Sequence, residues 1–179
     1  MIKKYYYALI SMKYAFFMFG LPVLVFVLAF LETKMKFSGF HYLMMVLAIL
    51  LFIVLFFYYK DKMKVSKQLK KVSNLVEYSY GGVVDRSWIL ENRMLCCKDL
   101  EIHEVLPEKV SAVKEETIKN KVILHLYVDE KIVDMSALSE EEAQRFCAFL
   151  KRKNPDIALH GIEIKGKGTL QELGASAQV

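Results

Sequence analysis

The chain has 179 residues, 55% of them hydrophobic, and a formal net charge of +5 from 25 basic and 20 acidic residues. The apolar residues concentrate between Tyr14 and Tyr59 and the remainder has a globular composition, which predicts a two-part protein rather than one soluble domain. Much of the excess positive charge lies beside the apolar runs instead of across a broad face, which argues against nucleic-acid binding.

Two uncharged apolar runs, Tyr14–Leu31 and Phe37–Tyr59, come first in the chain. A bilayer core requires roughly 20 apolar residues in a helix, and neither run has a polar face. The runs therefore predict a membrane anchor over 1–59 with transmembrane helices at about 14–31 and 40–59, joined by a short loop. Gly20 and Pro22 predict a kink in the first helix.

The distribution of lysines predicts the orientation of the two spans. Three lysines precede the first span and six follow the second, whereas the connecting loop has only Lys34 and Lys36. Cytoplasmic flanks of spans carry the excess of Lys and Arg, so both termini are predicted to lie in the cytoplasm, with the chain in the cell membrane.

Residues 60–75 are predicted to form a basic juxtamembrane helix. The predicted membrane-surface contacts, and the only site residues that the sequence suggests, are six lysines: Lys60, Lys62, Lys64, Lys67, Lys70 and Lys71. Each gains on the order of 1 kcal/mol near an anionic leaflet. The segment acts either as a topology signal that seats the helix end or in recognition of acidic lipids.

From about residue 76 the apolar periodicity changes from helix to strand. Gly81-Gly82 suggests a bend, and Glu91-Asn92, Lys119-Asn120 and Asp129-Glu130 suggest turns. The predicted strands are Glu77–Tyr80, Val83–Val84, Trp88–Leu90, Arg93–Cys97, Glu101–Leu106, Val110–Ile118, Lys121–Val128 and Lys131–Met135.

An amphipathic helix is predicted to close the strand domain. Ser139 is its N-cap and Glu142 completes a capping box, while Asn154-Pro155 ends the helix. Its apolar stripe consists of Ala143, Phe146, Cys147 and Leu150. The last residues, 154–179, suggest an added strand between Asp156 and Lys165, followed from Gly166 by a frayed end.

Three segments, Trp88–Met94, Ile102–Val113 and the helix that begins at Ser139, resemble the bacterial pleckstrin-homology-like family. The resemblance covers about Trp88–Lys153 and the order of two membrane helices before the domain. It implies an α+β membrane protein, in which a small antiparallel β barrel or sandwich over 76–153 is closed by a C-terminal helix. It also implies a role in binding rather than catalysis.

The sequence offers little chemistry besides binding. His103 and His125 could lie on neighbouring strands, and a metal site with Cys96 or Cys97 is conceivable, but metal ligands normally come as close pairs with fixed spacing. The odd number of cysteines argues against a disulfide framework, and Cys147 belongs to a helix stripe. We therefore predict no catalytic residue, cofactor or metal.

Three functional hypotheses follow. The leading one is a non-catalytic, membrane-anchored scaffold that contacts membrane lipids and a protein partner, or forms a homo-oligomer, and does not bind nucleic acid. The second is an accessory or regulatory subunit of a larger membrane complex, bound through the transmembrane hairpin. The third is a lipid-active enzyme with His103 or His125 as its base.

Overall fold

The computed structural model describes residues 1–35, 39–118, 121–162, 164 and 167–174. The chain forms two compact units, one of Lys3–Lys67 and the other of Met1–Ile2 with Gln68–Val179. The first consists of two long helices, and the second contains all the strands that the structure describes.

The two helices are α1 (Ile2–Met35) and α2 (Gly39–Leu69), with Pro22 inside α1. Both are long and apolar enough to cross a membrane, and only 11% and 6% of their most apolar windows are buried. A core helix of a soluble protein would be mostly buried instead.

Both helices extend beyond the apolar runs. Helix α1 includes residues 2–13 and Glu32–Met35, the latter predicted as loop, because these flanks contain no Gly or Pro to stop a helix. Residues 36–38, the rest of the predicted loop, lie outside the described residues.

The prediction that the juxtamembrane helix continues to residue 75 is wrong, because α2 ends at Leu69. Asn74 instead closes a local turn, in which its side chain accepts from the Val76 N–H at 3.2 Å and donates to Glu77 at 2.7 Å. Ser and Asn side chains compete with helix hydrogen bonds in this way.

The first sheet contains four antiparallel strands in the order β1-β2-β3-β4. The predicted hairpin around Glu91-Asn92 is confirmed, with Trp88 opposite Leu95 and Ile89 opposite Met94. The strands are β1 (Gly82–Val84), β2 (Ser87–Ile89), β3 (Met94–Lys98) and β4 (Glu101–Val105).

The second sheet has the order β7-β6-β5-β8 and is mixed, because β8 runs parallel to β5. Strand β8 falls inside the segment for which the sequence suggests an added strand. The predicted turn at residues 119–120 lies outside the described residues. The strands are β5 (Val110–Ile118), β6 (Lys121–Val128), β7 (Lys131–Ala137) and β8 (Ala158–His160).

A closed barrel, one of the two predicted forms, is wrong. Among the described strands, β4 and β7 each hydrogen-bond to one neighbour only, and the two sheets meet through side chains. Ser136 donates to Asp85 at 2.6 Å and to the carbonyl of Cys97 at 3.3 Å. These contacts connect the sheets without closing a continuous hydrogen-bonded cylinder.

The segment Glu77–Tyr80 is a 3-10 helix and not the predicted strand. Its Tyr78 side chain is fully buried, and the hydroxyl donates to Glu104 at 2.8 Å. One-sided burial of Tyr78 against another part of the chain is a tertiary effect that the alternating local pattern could not indicate.

Helix α3 (Glu140–Lys153) closes the domain as predicted, and its four predicted stripe residues are buried. Ser139 accepts from the Glu142 N–H at 3.2 Å, which confirms the N-cap. The Glu142 carboxylate accepts from the N–H groups of Leu138, at 2.6 Å, and Asp85, at 3.2 Å. The cap thus also joins the β1–β2 turn to α3.

The core of the domain lies between the sheets and α3. Its buried members come from β1 through the tail and include Ile89, Met94, Leu124, Phe146 and Leu173. The rings of Phe146 and Phe149 stack with centroids 6.5 Å apart. Every member of this cluster lies between Val84 and Leu173, so the core belongs entirely to the second unit.

The predicted frayed end from Gly166 is wrong for residues 167–174. A short helix α4 (Leu170–Gly174) lies there, and Leu173 is fully buried. Glu172 accepts from the N–H groups of Lys167, Gly168 and Thr169, at 3.0, 2.8 and 3.3 Å. Residues 175–179 lie outside the described residues.

Candidate functional site

The six predicted membrane-contact lysines do not share one surface. Lys60, Lys64 and Lys67 are exposed on α2 at a spacing that places them along one helix face. Lys62 faces away from them, with Nζ 5.0 Å from the ring centroid of Tyr7 on α1. Exposed Lys70 and Lys71 follow the end of the helix. The basic surface on α2 is therefore a three-lysine stripe.

Asp61 connects the two long helices, a role that its position among lysines did not indicate. Its carboxylate accepts from Lys13 Nζ and from the Tyr14 hydroxyl, both at 2.8 Å. The Tyr14 and Tyr58 rings pack edge to face with centroids 6.0 Å apart. Only the pairing of α1 with α2 brings these side chains together, since they are far apart in sequence.

The second unit contains a groove between the edge strands β4 and β7, named here the β4–β7 groove. Two adjoining cavities of about 360 and 490 Å³ form it, and His103 lines both. The first cavity is lined by Lys98, Asp99, Glu101, His103, Ile132 and Asp134. The second is lined by His103, Glu104, Val105, Val128, Asp129, Glu130, Lys131 and Val133.

A charged cluster closes one end of this groove. Asp134 accepts from Lys98 Nζ at 2.7 Å and lies 2.7 Å from His125 Nδ1. The other ring nitrogen of His125 is 3.0 Å from Glu116. Burial alone would raise the pKa of the Asp134 carboxyl, but the hydrogen bonds with Lys98 and His125 lower it below its usual value.

His103 and His125, which the sequence allows on neighbouring strands, lie in different sheets. His103 is on β4 of the first sheet, opposite Cys96, while His125 is on β6 of the second sheet, opposite Asp134. His103 lines the groove, whereas both nitrogens of His125 have carboxylate neighbours. The structure thus gives the two histidines separate surroundings.

All three cysteines are buried, and none of them forms a disulfide. Burial raises the pKa of the Cys96 thiol, and burial together with Glu115 raises the pKa of Cys147 to about 12. Since the thiolate is the reactive form, these side chains pack as small apolar groups. In the described part of the chain, no group of three or more His, Cys, Asp or Glu side chains could hold a metal ion.

A polar cluster fixes the segment after α2 to the first sheet. Glu104 accepts from the Ser73 hydroxyl at 3.2 Å and from Tyr78 at 2.8 Å. Arg93 donates to Ser73 at 2.6 Å and pairs with Glu77 at 3.0 Å. Burial and the Glu104 carboxylate raise the pKa of Tyr78. Residues 73–78 thus belong to the strand domain, whose predicted start was residue 76.

Comparison of the chain with protein-family models, with curated proteins and with solved structures finds no match.

Proposed function

We propose that the chain is a membrane-anchored, pleckstrin-homology-like binding module, which holds its strand domain at the cytoplasmic face and acts without catalysis. The observation that carries this proposal is the division of the chain. Two apolar helices with mostly exposed side chains precede a domain that has its own core and a groove at its surface.

The exposed surface of the helices supports membrane anchoring. Large apolar side chains point outward on all sides, for example Phe16 at 81%, Phe26 at 75% and Phe52 at 73% exposure. Removing such surface from water gains roughly 25 cal/mol per Å². A lipid environment supplies that gain along the apolar runs of both helices.

The order of elements supports the pleckstrin-homology-like assignment. A four-strand antiparallel meander is followed by the three-strand meander β5–β7 and then by α3. This order agrees with the helix-closed sandwich, one of the two forms that the resemblance implies, apart from the parallel strand β8. The added strand β8 and helix α4 follow α3 and extend it.

The surroundings of the candidate reactive side chains favour binding over catalysis. Burial raises the pKa values of the Cys96 and Cys147 thiols, and both ring nitrogens of His125 lie within 3.0 Å of carboxylates. The β4–β7 groove, in contrast, offers volume and exposed charge at the surface.

Thiol labelling tests the orientation. Because the three native cysteines are buried, a membrane-impermeant maleimide should report mainly on one introduced cysteine. We expect Lys34→Cys to react in intact cells and Lys4→Cys to react only after permeabilisation. The reverse pattern would invert the orientation, and immediate labelling at both sites would contradict a two-span hairpin.

Exchange of the hairpin tests the binding role. Residues 1–59 are replaced by an unrelated two-span hairpin, and proteins that copurify with the tagged chain are compared. Partners retained by the chimera support binding through the strand domain. If partners are lost by the chimera but kept by the original chain, the accessory-subunit hypothesis would replace this proposal.

A further inference from the structure

We infer that the β4–β7 groove binds an extended, basic segment of a partner protein, which pairs as an added strand with the edge of β4. This inference rests on the proposed function, for which it names the partner's chemical class. Backbone pairing at an open sheet edge is a recurring way in which domains bind peptides.

Among the described strands, β4 and β7 are edge strands of their sheets. Within the described part of the chain, β4 pairs only with β3 and β7 pairs only with β6. The outer edge of each strand therefore presents backbone N–H and C=O groups, which bind another strand readily. The groove runs between these two edges.

The floor and rim of the groove suit a strand rather than a helix or a flat surface. Val105 and Val133 are 4% and 7% exposed and form an apolar floor, while Ile132 on the rim is 59% exposed. Successive side chains of a strand point to opposite faces. One set of partner side chains can contact the valines while the other remains in water.

The charge of the groove selects the partner. Its lining has six carboxylates against two lysines, although the whole chain carries a net charge of +5. Two such acidic edges would repel each other, which disfavours pairing with the same groove of a second copy. A segment that alternates basic and apolar residues complements both the acidic lining, in which Asp134 and Glu104 already have partners, and the valine floor.

The cluster at one end limits how far the partner can extend. The Lys98–Asp134 ion pair and the Ser136–Cys97 hydrogen bond connect the two sheets there. The opposite end, at the β6–β7 turn with Asp129 and Glu130, is lined by exposed charge. The partner segment therefore lies along β4 with one end toward that turn.

A binding measurement with defined peptides tests the inference. The probe is a fluorescent peptide of about seven residues that alternates lysine and valine, a length suited to one strand. It is titrated into the full chain in zwitterionic detergent, with empty micelles as the blank. One control peptide has proline in place of both the central valine and the lysine after it, because only alternate residues of an added strand donate to the ladder, and another has glutamate in place of lysine.

We expect the lysine–valine peptide to bind at least about tenfold more tightly than either control peptide, because proline cannot complete the ladder and glutamate meets like charge. Failure of the lysine–valine peptide to bind at about 1 mM, or equal binding of the proline peptide, would overturn the inference.

Charge reversal in the groove supplies the matched variants. Glu101→Lys with Glu130→Lys should weaken peptide binding about tenfold. Glu141→Lys with Asp156→Lys makes the same change of charge at exposed positions outside the groove, and should leave binding unchanged. Equal weakening by both pairs would show a general charge effect and overturn the inference.

The binding-module proposal and the groove proposal can be disproved independently of each other. If partners copurify through the strand domain but are unaffected by Glu101→Lys with Glu130→Lys, the groove proposal is disproved and the binding-module proposal stands. Loss of the expected thiol-labelling pattern would remove the membrane orientation without changing peptide binding to the groove. Thermal unfolding of each variant confirms that the domain remains folded.

Discussion

Gly168 lies against the backbone of α3, in a position that excludes every other residue. Its φ is +68°, and an added Cβ would come within 2.5 Å of the Ala148 carbonyl. Arg152 donates to the Gly168 carbonyl at 3.0 Å, which holds the tail at this close approach. The single glycine therefore permits the docking of residues 167–174 on the domain.

We expect Gly168→Ala to displace the tail, because the clash adds to a backbone strain of about 1–3 kcal/mol. Gly161→Ala is the matched control, since Gly161 has a φ of +81° but no atom within 4 Å of an added Cβ. Limited proteolysis should cut the tail of the Gly168 variant faster than that of the control. Equal cutting rates would mean that strain alone, without the contact, decides tail stability.

Asp134 makes a pH-dependent contribution to stability. Its pKa is lowered in the folded chain by Lys98 and His125, against the opposing effect of burial. The contribution is therefore fully present above the unfolded-state pKa of about 3.9, and is lost as the pH falls through the lower, folded-state value.

The Asp134→Asn variant should accordingly lose melting temperature near neutral pH and show less further loss on acidification than the original chain. Thermal unfolding followed by circular dichroism at a series of pH values measures both effects. Asp156→Asn, at an exposed position away from this cluster, serves as the control. An unchanged acid slope for Asp134→Asn would contradict the assigned hydrogen bonds.

Among single residues, most of the interactions that could not be predicted join side chains that are distant in sequence. Ser139 was recognised as an N-cap because its partner is three residues away. Asp61, Glu104 and Glu142 have partners 48, 31 and 57 residues away, and no local pattern marks such pairs. The six lysines were found from composition, but their division between two sides of α2 requires the helix pairing.

At the scale of elements, the cap of α3 has two parts with different consequences. Ser139 satisfies one N–H group of the first turn, whereas buried Glu142 satisfies the N–H groups of Leu138 and Asp85. The first interaction is local to the helix. The second connects α3 with the first sheet, so its loss affects the packing of the whole domain.

We expect Ser139→Ala to lower the free energy of unfolding by about 1 kcal/mol, the usual value for an N-cap. Glu142→Ala should cost more, about 2 kcal/mol or above, because two N–H groups lose their acceptor. Chemical denaturation compares the two, with exposed Glu141→Ala as the control. A Glu142→Ala loss no larger than that of Ser139→Ala would mean that water replaces the carboxylate.

Elements with a strong local pattern were predictable, and those held by tertiary contacts were not. The bounds of β5 and β6 are predicted from the alternation of β6 and from the break and turns that flank both strands, and α3 from its caps and stripe. The 3-10 helix at Glu77–Tyr80 and helix α4 depend on burial of Tyr78 and Leu173 against distant residues. Open sheet edges depend on strand order, which a single sequence does not reveal.

For the whole molecule, the division into two units predicts that the strand domain folds without the helices. Its core cluster lies entirely between Val84 and Leu173. A fragment of residues 68–174 should therefore be soluble and unfold in one cooperative transition, as small domains do. Circular dichroism melts and dispersion of NMR signals measure this. A fragment without cooperative unfolding would show that the long helices supply part of the fold.

Helix α2 continues without interruption from Gly39 to Leu69, so its lysines lie at successive distances along one helix axis. With a rise of 1.5 Å per residue, Lys67 lies roughly 10 Å farther along the axis than Lys60. That distance is about one Debye length at physiological salt, over which attraction to a charged leaflet fades. If α2 crosses a bilayer as proposed, Lys60→Gln should therefore shift the orientation measured by thiol labelling more than Lys67→Gln. The effect of each lysine on orientation therefore depends on its distance from the lipid along the axis of α2.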